Sequence, residues 1–251
     1  MVIVHGGSVA ANQLGRELGR PVRYLTSADG QQRARYTDPA SLDTLTLAML
    51  GRVKPRLVAE LARLGVPAVG ICGIDGSLLS ATRTPPVRAR VADSDARVAD
   101  GELRVVRDDM TGRVTAIDPG LLLLLLDAGY VPVLSPPVLS AAGEPLSTDA
   151  DRLAAAIAGK LGASWLIVLS NVPGLLRDPA DEATVITRVP VAEFDDYMAL
   201  ASGRMRVKLR ATAEAAKAGV PHVVLADGRR EGPVLAARAG AGTAITTESP
   251  S

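Results

Sequence analysis

Lysine is scarce in this chain: Lys54, Lys160, Lys208 and Lys217 stand against twenty-four arginines. A position that keeps lysine is a candidate for chemistry needing a compact ammonium, with chance retention as the plain alternative. Lys208 lies in GRMRVKLRATAEAAKAG, with Arg206, at the start of an expected helix behind Gly203. Cations there oppose the helix dipole, so a neighbouring phosphate would account for them; a solvated lysine is the other reading. Asp149 and Asp151 open a second helix in EPLSTDADRLAAAIAGKLGAS. Acids at i and i+2 do not share a helix face, which suggests separate tasks, although both could serve as caps or dipole partners.

Three further stretches could bind anions or a nucleotide. MVIVHGGSVAANQLG reads as strand, glycine turn and helix, with Gly6 and Gly7 able to bring backbone N–H groups close to an anion or simply to make a tight turn. In WLIVLSNVPGLL, an apolar strand runs into Ser170, Asn171 and Gly174. Ligands of open α/β sheets bind beyond the carboxyl ends of strands, so this loop suits a nucleotide or is an ordinary connection. In QQRARYTDP, Arg35 precedes a helix start at Thr37-Asp38-Pro39 and could grip a carboxylate with both arms, or point into water. His5 and His222 are far apart, and the sequence contains no metal-ligand cluster, no Ser/His/Asp arrangement and no Walker loop.

Positioning these groups requires an α/β scaffold. Apolar residues make up 47% of 251, enough for a sizeable core, but aromatics are only 2%, so Leu, Val and Ala must fill it. A net charge of +1 argues against a general nucleic-acid binder, and the lone Cys72 fits a reducing, cytoplasmic setting. The leucine run 121–126 is far below the ~20 residues of a membrane span and reads as a buried helix. Strands are expected at 2–4, 67–71, 131–134, 164–169 and 222–225, and helices at 9–19, 40–64, 118–128, 150–161, 207–218 and 231–239. This alternation predicts a mostly parallel open sheet sandwiched between helices, in two lobes, 1–162 and 163–251. The Arg- and Asp-rich stretch 83–116 predicts a polar β-hairpin insertion, and the closing TTESPS a frayed tail.

In order, H-G-G-S, R-Y-T-D, G-I-D-G, G-Y-V-P-V, S-T-D-A-D, L-S-N-V-P-G and G-R-M-R-V-K resemble the amino acid kinase family across nearly the whole chain. The resemblance implies transfer of the γ-phosphoryl of ATP, carried with Mg²⁺, to the side-chain carboxylate of an acidic amino acid whose amino group is blocked. H-G-G-S, the SPPVLS segment and G-R-M tilt it toward the branch whose substrate, aminoadipate or glutamate, hangs from a small acidic amino-group carrier protein (LysW-like) in lysine- or arginine-type biosynthesis. Acetylglutamate as acceptor is the alternative. By resemblance, Gly6 and Gly7 offer N–H groups, Arg35 holds the acceptor's main-chain carboxylate, Asp151 orients lysine, and Lys208 stabilises phosphate charge. Ser170, Asn171 and Gly174 line the nucleotide site. Arg83, Arg88, Arg90, Arg104 and Arg107 could meet the carrier. A homo-oligomer is expected, without nucleic acid or membrane partners.

Three departures accompany the resemblance. Ser147 stands where the family usually has Asn, giving the acceptor a shorter contact or none. Pro55 falls inside the expected helix 40–64 and predicts a kink or break. The family's earlier strand with K-x-G-G has no counterpart before H-G-G-S, and no lysine precedes Lys54. The expectation is therefore a truncated product of a longer chain, with a non-catalytic nucleotide- or carrier-binding protein as the alternative of a different class.

Overall fold

A run of apolar residues buried on both faces of a strand calls for neighbours on both sides, and Val131–Ser135, apolar up to its closing serine and with four of its five residues buried, is such a strand. The computed structural model describes residues 1–27, 33–93 and 103–247, so part of the expected insertion and the end of the tail, 94–102 and 248–251, lie outside the described residues. The chain forms two compact units, Met1–Ala150 and Asp151–Ser251.

In the first unit the order is β1 (Ile3–Val4), α1 (Ser8–Glu17), β2 (Arg23–Ser27), β3 (Arg33–Tyr36), α2 (Pro39–Thr46), α3 (Lys54–Arg63), β4 (Ala68–Cys72), β5 (Leu79–Arg83), β6 (Val87–Asp93), β7 (Leu103–Val106), β8 (Gly112–Ile117), α4 (Gly120–Asp127), β9 (Val131–Ser135), β10 (Val138–Ser140) and β11 (Pro145–Leu146). β9 lies between β1 and β4, parallel to both, with Ile3 opposite Val133 and Ile71 opposite Leu134. The helical layer packs through Ala11, Leu14, Leu45, Ala48 and Met49, whose i, i+3 and i+4 spacings make one apolar stripe per helix.

The expected single helix 40–64 is present as one continuous helical run whose hydrogen-bond spacing changes in the middle. Asp38 caps α2, accepting from Ser41 N–H at 2.8 Å, and Pro39 occupies its first turn. Leu47–Val53 is a π-helical turn, and the Lys54 N–H closes on Met49 O, five residues back. α3 follows directly, with Pro55 as its second residue, so the proline ring comes just after the wider π turn. The backbone stays right-handed helical through Thr46, Leu47, Val53 and Lys54, so in place of the expected kink or break the helix widens for one turn before the proline. α4 also differs from expectation: Leu122 is fully buried, but Leu123 and Leu124 face solvent.

The expected hairpin is present and larger than foreseen. β6 and β7 pair antiparallel, and β2 and β3 extend the ladder to the order β3-β2-β6-β7. Leu25, Tyr36, Ala89 and Val106 make its core on one face. A second sheet, β11-β10-β5-β8, lies beside it in the chain order.

The second unit runs α5 (Ala150–Lys160), β12 (Trp165–Ser170), β13 (Leu175–Leu176), β14 (Val185–Ile186), β15 (Arg188–Pro190), α6 (Phe194–Leu200), α7 (Gly203–Lys217), β16 (His222–Asp227), α8 (Pro233–Arg238) and β17 (Thr243–Thr246). β12 and β16 are parallel from Trp165 opposite His222 to Ser170 opposite Asp227. β17 joins β16 antiparallel and β15 parallel. The core is aliphatic, as the composition requires: Leu166, Val168, Val189, Leu209, Val223, Leu225 and Ile245 pack with Ala211, Ala215 and Ala216. Full burial of each Leu, Val or Ile is worth about 1.5–3 kcal/mol. No helix among the described residues is long and apolar enough to cross a membrane.

Candidate active site

α5 begins at Ala150, which puts Asp149 at the N-cap position and Asp151 in the first turn. α7 begins earlier than the sequence suggests, at Gly203, whose φ of +50° is the left-handed conformation glycine adopts freely. Lys208 is consequently in its second turn. The Lys208 Nζ donates to Asp151 Oδ1 at 2.9 Å and Oδ2 at 3.1 Å, and approaches Leu169 O at the end of β12 at 3.3 Å. Asp151 thus provides a counter-charge to Lys208 where the sequence predicts a phosphate. Both side chains keep a solvent-facing fraction, 20% and 26%, so the ammonium is anchored without being sealed off. The carboxylate in turn sits where the α5 dipole favours a negative charge.

The loop after β12 is pinned at both ends. Gly228 N–H donates to Ser170 O at 2.7 Å. Leu175 N–H donates to Thr243 Oγ1 at 2.8 Å. Asn171 is exposed between them, while Gly174 is buried. A Cβ on Gly174 would fall 2.4 Å from Thr243 Oγ1, so the close approach of loop and strand requires glycine there. At the rim, Arg229 reaches both Asp227 and Glu182, with four side-chain contacts of 2.8 Å. Its guanidinium holds the Asp227 carboxyl down at about 2.

In the first unit the H-G-G-S turn joins β1 to α1. Gly7 is the N-cap, and no side chain caps the helix. The opening N–H groups of a helix have no partners within it, so this end can receive an anion. A Cβ at Gly7 would lie 2.5 Å from Met49 Cγ, so packing against the π-helical turn demands glycine. At Gly6 the same test gives an ordinary 3.5 Å to Ala150 Cβ; its exposed backbone is what the missing side chain leaves open. His5 Nδ1 donates to Gly6 O at 2.8 Å. Its Nε2 is buried without a hydrogen-bond partner among the described residues. Burial chiefly, and Lys54 secondarily, hold the imidazole below its ordinary value and so neutral. Lys54 itself is buried, its Nζ donating to Ile71 O, and burial lowers its affinity for a proton.

Arg35, on β3, donates from Nη2 to Asn12 Oδ1 on α1. Ser147 is fixed by its backbone: its N–H donates to Met110 O and its carbonyl accepts from Gly112 N–H, both at 2.8 Å. The same segment holds the Tyr36–Thr37 corner, with Tyr36 Oη donating to Asp108 at 2.6 Å and Thr37 N–H to Asp109 at 2.9 Å. Within their own units, the structure thus brings Lys208 to Asp151 and sets Gly7 against the π-helical turn. The five arginines of the insertion do not form one group. Arg83 donates to Asp109 O at 2.9 Å and Arg107 O at 3.2 Å. Arg104 lies opposite Ala89, on the core face of its sheet. Arg88 and Arg90 stand on the other face, which the register also gives to Arg35 and Tyr24. Asn12 and Thr243 were not foreseen. An Asn one turn into a helix behind a glycine turn, and a threonine between Gly242 and Ala244 near the end of the chain, carry no distinguishing mark in sequence.

Residues 1–227 match the description "Amino acid kinase family". The chain is 42% identical over 247 residues to LysW-aminoadipate kinase of Thermus thermophilus, covering 98% of this chain and 88% of that one. It is 30% identical over 250 residues to acetylglutamate kinase of Methanothermobacter thermautotrophicus, covering 98% and 81%. Among solved structures, smu.665 of Streptococcus mutans superposes with a TM-score of 0.74 at 25% identity, over 98% of this chain and 86% of that one. A match over most of the chain, in sequence and in fold, establishes one thing plainly: the chain belongs to the amino acid kinase family.

Proposed function

We propose that this chain transfers the γ-phosphoryl group of MgATP to the side-chain carboxylate of an acidic amino acid whose amino group is blocked by a small acidic carrier protein of the LysW type. The amino acid is aminoadipate or glutamate, and the setting is cytoplasmic lysine- or arginine-type biosynthesis by a homo-oligomeric enzyme. The observation that carries the reading is the Lys208–Asp151 pair at the carboxyl end of β12, in a chain 42% identical to LysW-aminoadipate kinase of Thermus thermophilus.

In the reaction a carboxylate oxygen attacks the γ-phosphorus, the bond to the β–γ bridging oxygen breaks, and ADP leaves with the electron pair. The product is an acyl phosphate. The attacking carboxylate has an ordinary value near 4.3 and is already ionised at neutral pH. No proton has to be removed, so the site needs cations and N–H donors rather than a general base. Lys208 supplies charge to the transferring phosphoryl, and Asp151 holds it at the strand end. Ser170, Asn171 and Gly174 line the nucleotide in the 163–251 lobe. In the 1–162 lobe Gly6 and Gly7 present N–H groups, Arg35 takes the acceptor's main-chain carboxylate, and Ser147 offers it a hydroxyl. Arg35 shares its sheet face with Arg88 and Arg90, so the carrier that delivers the acceptor docks on that face.

Similarity to acetylglutamate kinase favours a second acceptor, with acetyl in place of the carrier. Turnover of carrier-linked aminoadipate, carrier-linked glutamate and N-acetylglutamate, measured side by side by hydroxylamine trapping of the acyl phosphate, separates the two. A carrier-linked acceptor is expected to give the highest kcat/KM; equal or better turnover of N-acetylglutamate would transfer the assignment to the second reading.

A further inference from the structure

Among the described residues, two buried hydroxyls serve their own helix: Thr44 donates to Ala40 O and Thr212 to Leu209 O. Thr243 does not. It is fully buried on β17 and joins two other elements: its Oγ1 accepts from Leu175 N–H at 2.8 Å and donates to Ile186 O at 2.6 Å. One hydroxyl therefore spends its donor and one of its acceptor lone pairs on backbone groups of β13 and β14. Gly174, the last residue of the loop after β12, is pressed against the same atom. The other end of that loop is held through Ser170 O by Gly228 N–H. What lies between the two pins is Asn171, Val172 and Pro173, whose backbone direction is set by where the pins sit.

We propose that Thr243 is a positioning residue for the nucleotide. Its hydroxyl fixes the 171–174 loop in the conformation that receives the adenosine-phosphate moiety. The inference rests on the reading above, in which this loop lines the MgATP site. A hydroxyl suits this task because its angle with the Leu175 N–H is directional, whereas an aliphatic side chain of the same size would leave the loop free to rotate away from β17. It also explains the glycine at 174, since any side chain would push the loop off its pin.

The test uses the full chain, with MgADP as the probe in calorimetry and steady-state KM values for MgATP and for the acceptor. Thr243→Val keeps the volume and removes both hydrogen bonds. It is expected to weaken MgADP binding and raise KM for MgATP by about tenfold, roughly the factor that one lost hydrogen bond of ordinary strength represents, with the acceptor KM unchanged. Thr243→Ser keeps the hydroxyl and is expected to recover most of the affinity. Gly174→Ala, which crowds the same atom, serves if Thr243→Val does not fold, and should give the same nucleotide-selective loss. Unchanged MgADP affinity in both Thr243→Val and Gly174→Ala, or a Thr243→Ser variant as weak as valine, would overturn the assignment. So would equal losses for nucleotide and acceptor, which mark a purely structural role. Tight MgADP binding by the parent chain with no transfer to any acceptor would count against the proposed reaction while leaving the loop assignment standing. Absence of MgADP binding by the parent would overturn both.

Discussion

Lys208→Met is the substitution that separates a catalytic cation from a structural one. The ammonium lies 2.9 and 3.1 Å from the two oxygens of Asp151. At an effective dielectric of 20, two unit charges 4 Å apart attract by about 4 kcal/mol before any cost is counted. Desolvation and lost side-chain freedom take back most of this, because both groups are only partly exposed. Removing one partner should therefore destabilise the fold by about 1–3 kcal/mol. The catalytic effect is of a different kind. Losing one group that stabilises charge only in the transition state costs roughly 10²–10³ in kcat, about 2.7–4 kcal/mol. The two are distinguishable, since a destabilised enzyme that is still folded keeps its kcat per folded molecule. Hydroxamate formation at saturating MgATP and acceptor measures kcat, and fluorescence of the single Trp165 measures the folded fraction. Asp151→Asn, which still offers Lys208 an oxygen, should lose less than Lys208→Met. A folded Lys208→Met enzyme with kcat within fivefold of the parent would refute the catalytic assignment and leave the pair as an ordinary half-buried salt bridge.

Arg35→Lys should raise the acceptor KM at least tenfold with little change in kcat, because a point charge cannot reproduce a two-armed grip on a carboxylate; a lysine variant with an unchanged KM would exclude that grip. Reversing charge at Arg88 and Arg90 together should raise KM for the carrier-linked acceptor and weaken its dependence on salt, while N-acetylglutamate kinetics stay as they are; equal effects on both acceptors would place the carrier elsewhere. Arg229 lowers the Asp227 carboxyl to about 2, so its stabilising contribution is complete above the unfolded value near 3.9 and is lost as pH falls toward 2. Arg229→Gln should therefore move acid unfolding to higher pH, and an unchanged acid transition would show that the clasp contributes nothing measurable.

The parallel frame was legible because its strands carry apolar runs of four or five residues and its helices are periodic. β4, β9, β12 and β16 lie within about a residue or two of where hydrophobic runs put them. The β2–β3 ladder was not, since Arg23 to Tyr36 has neither a clean alternation nor an apolar run; those strands exist because Leu25 and Tyr36 find Ala89 and Val106 far along the chain. α6 was missed for a similar reason: a seven-residue helix is too short for its period to show. At the site, residue types at strand ends and helix starts pointed to Asp151 and Lys208 separately, and only the fold supplies their contact. Pro55 pointed to an irregularity in this helix, but it takes the form of a π-helical turn in an unbroken helix rather than a kink or break. The arginines of the insertion looked like one patch in sequence because only the β6–β7 register, which pairs Arg104 with Ala89, puts Arg104 on the face opposite Arg88 and Arg90.

The most direct measurement of the proposed chemistry is the intact mass of carrier-linked aminoadipate after incubation with the chain and MgATP. A gain of one phosphoryl group is expected, dependent on MgATP, removed by hydroxylamine and abolished in Lys208→Met. A carrier whose mass does not change while ATP is retained, or a phosphoryl group that survives hydroxylamine and so is not an acyl phosphate, would contradict it.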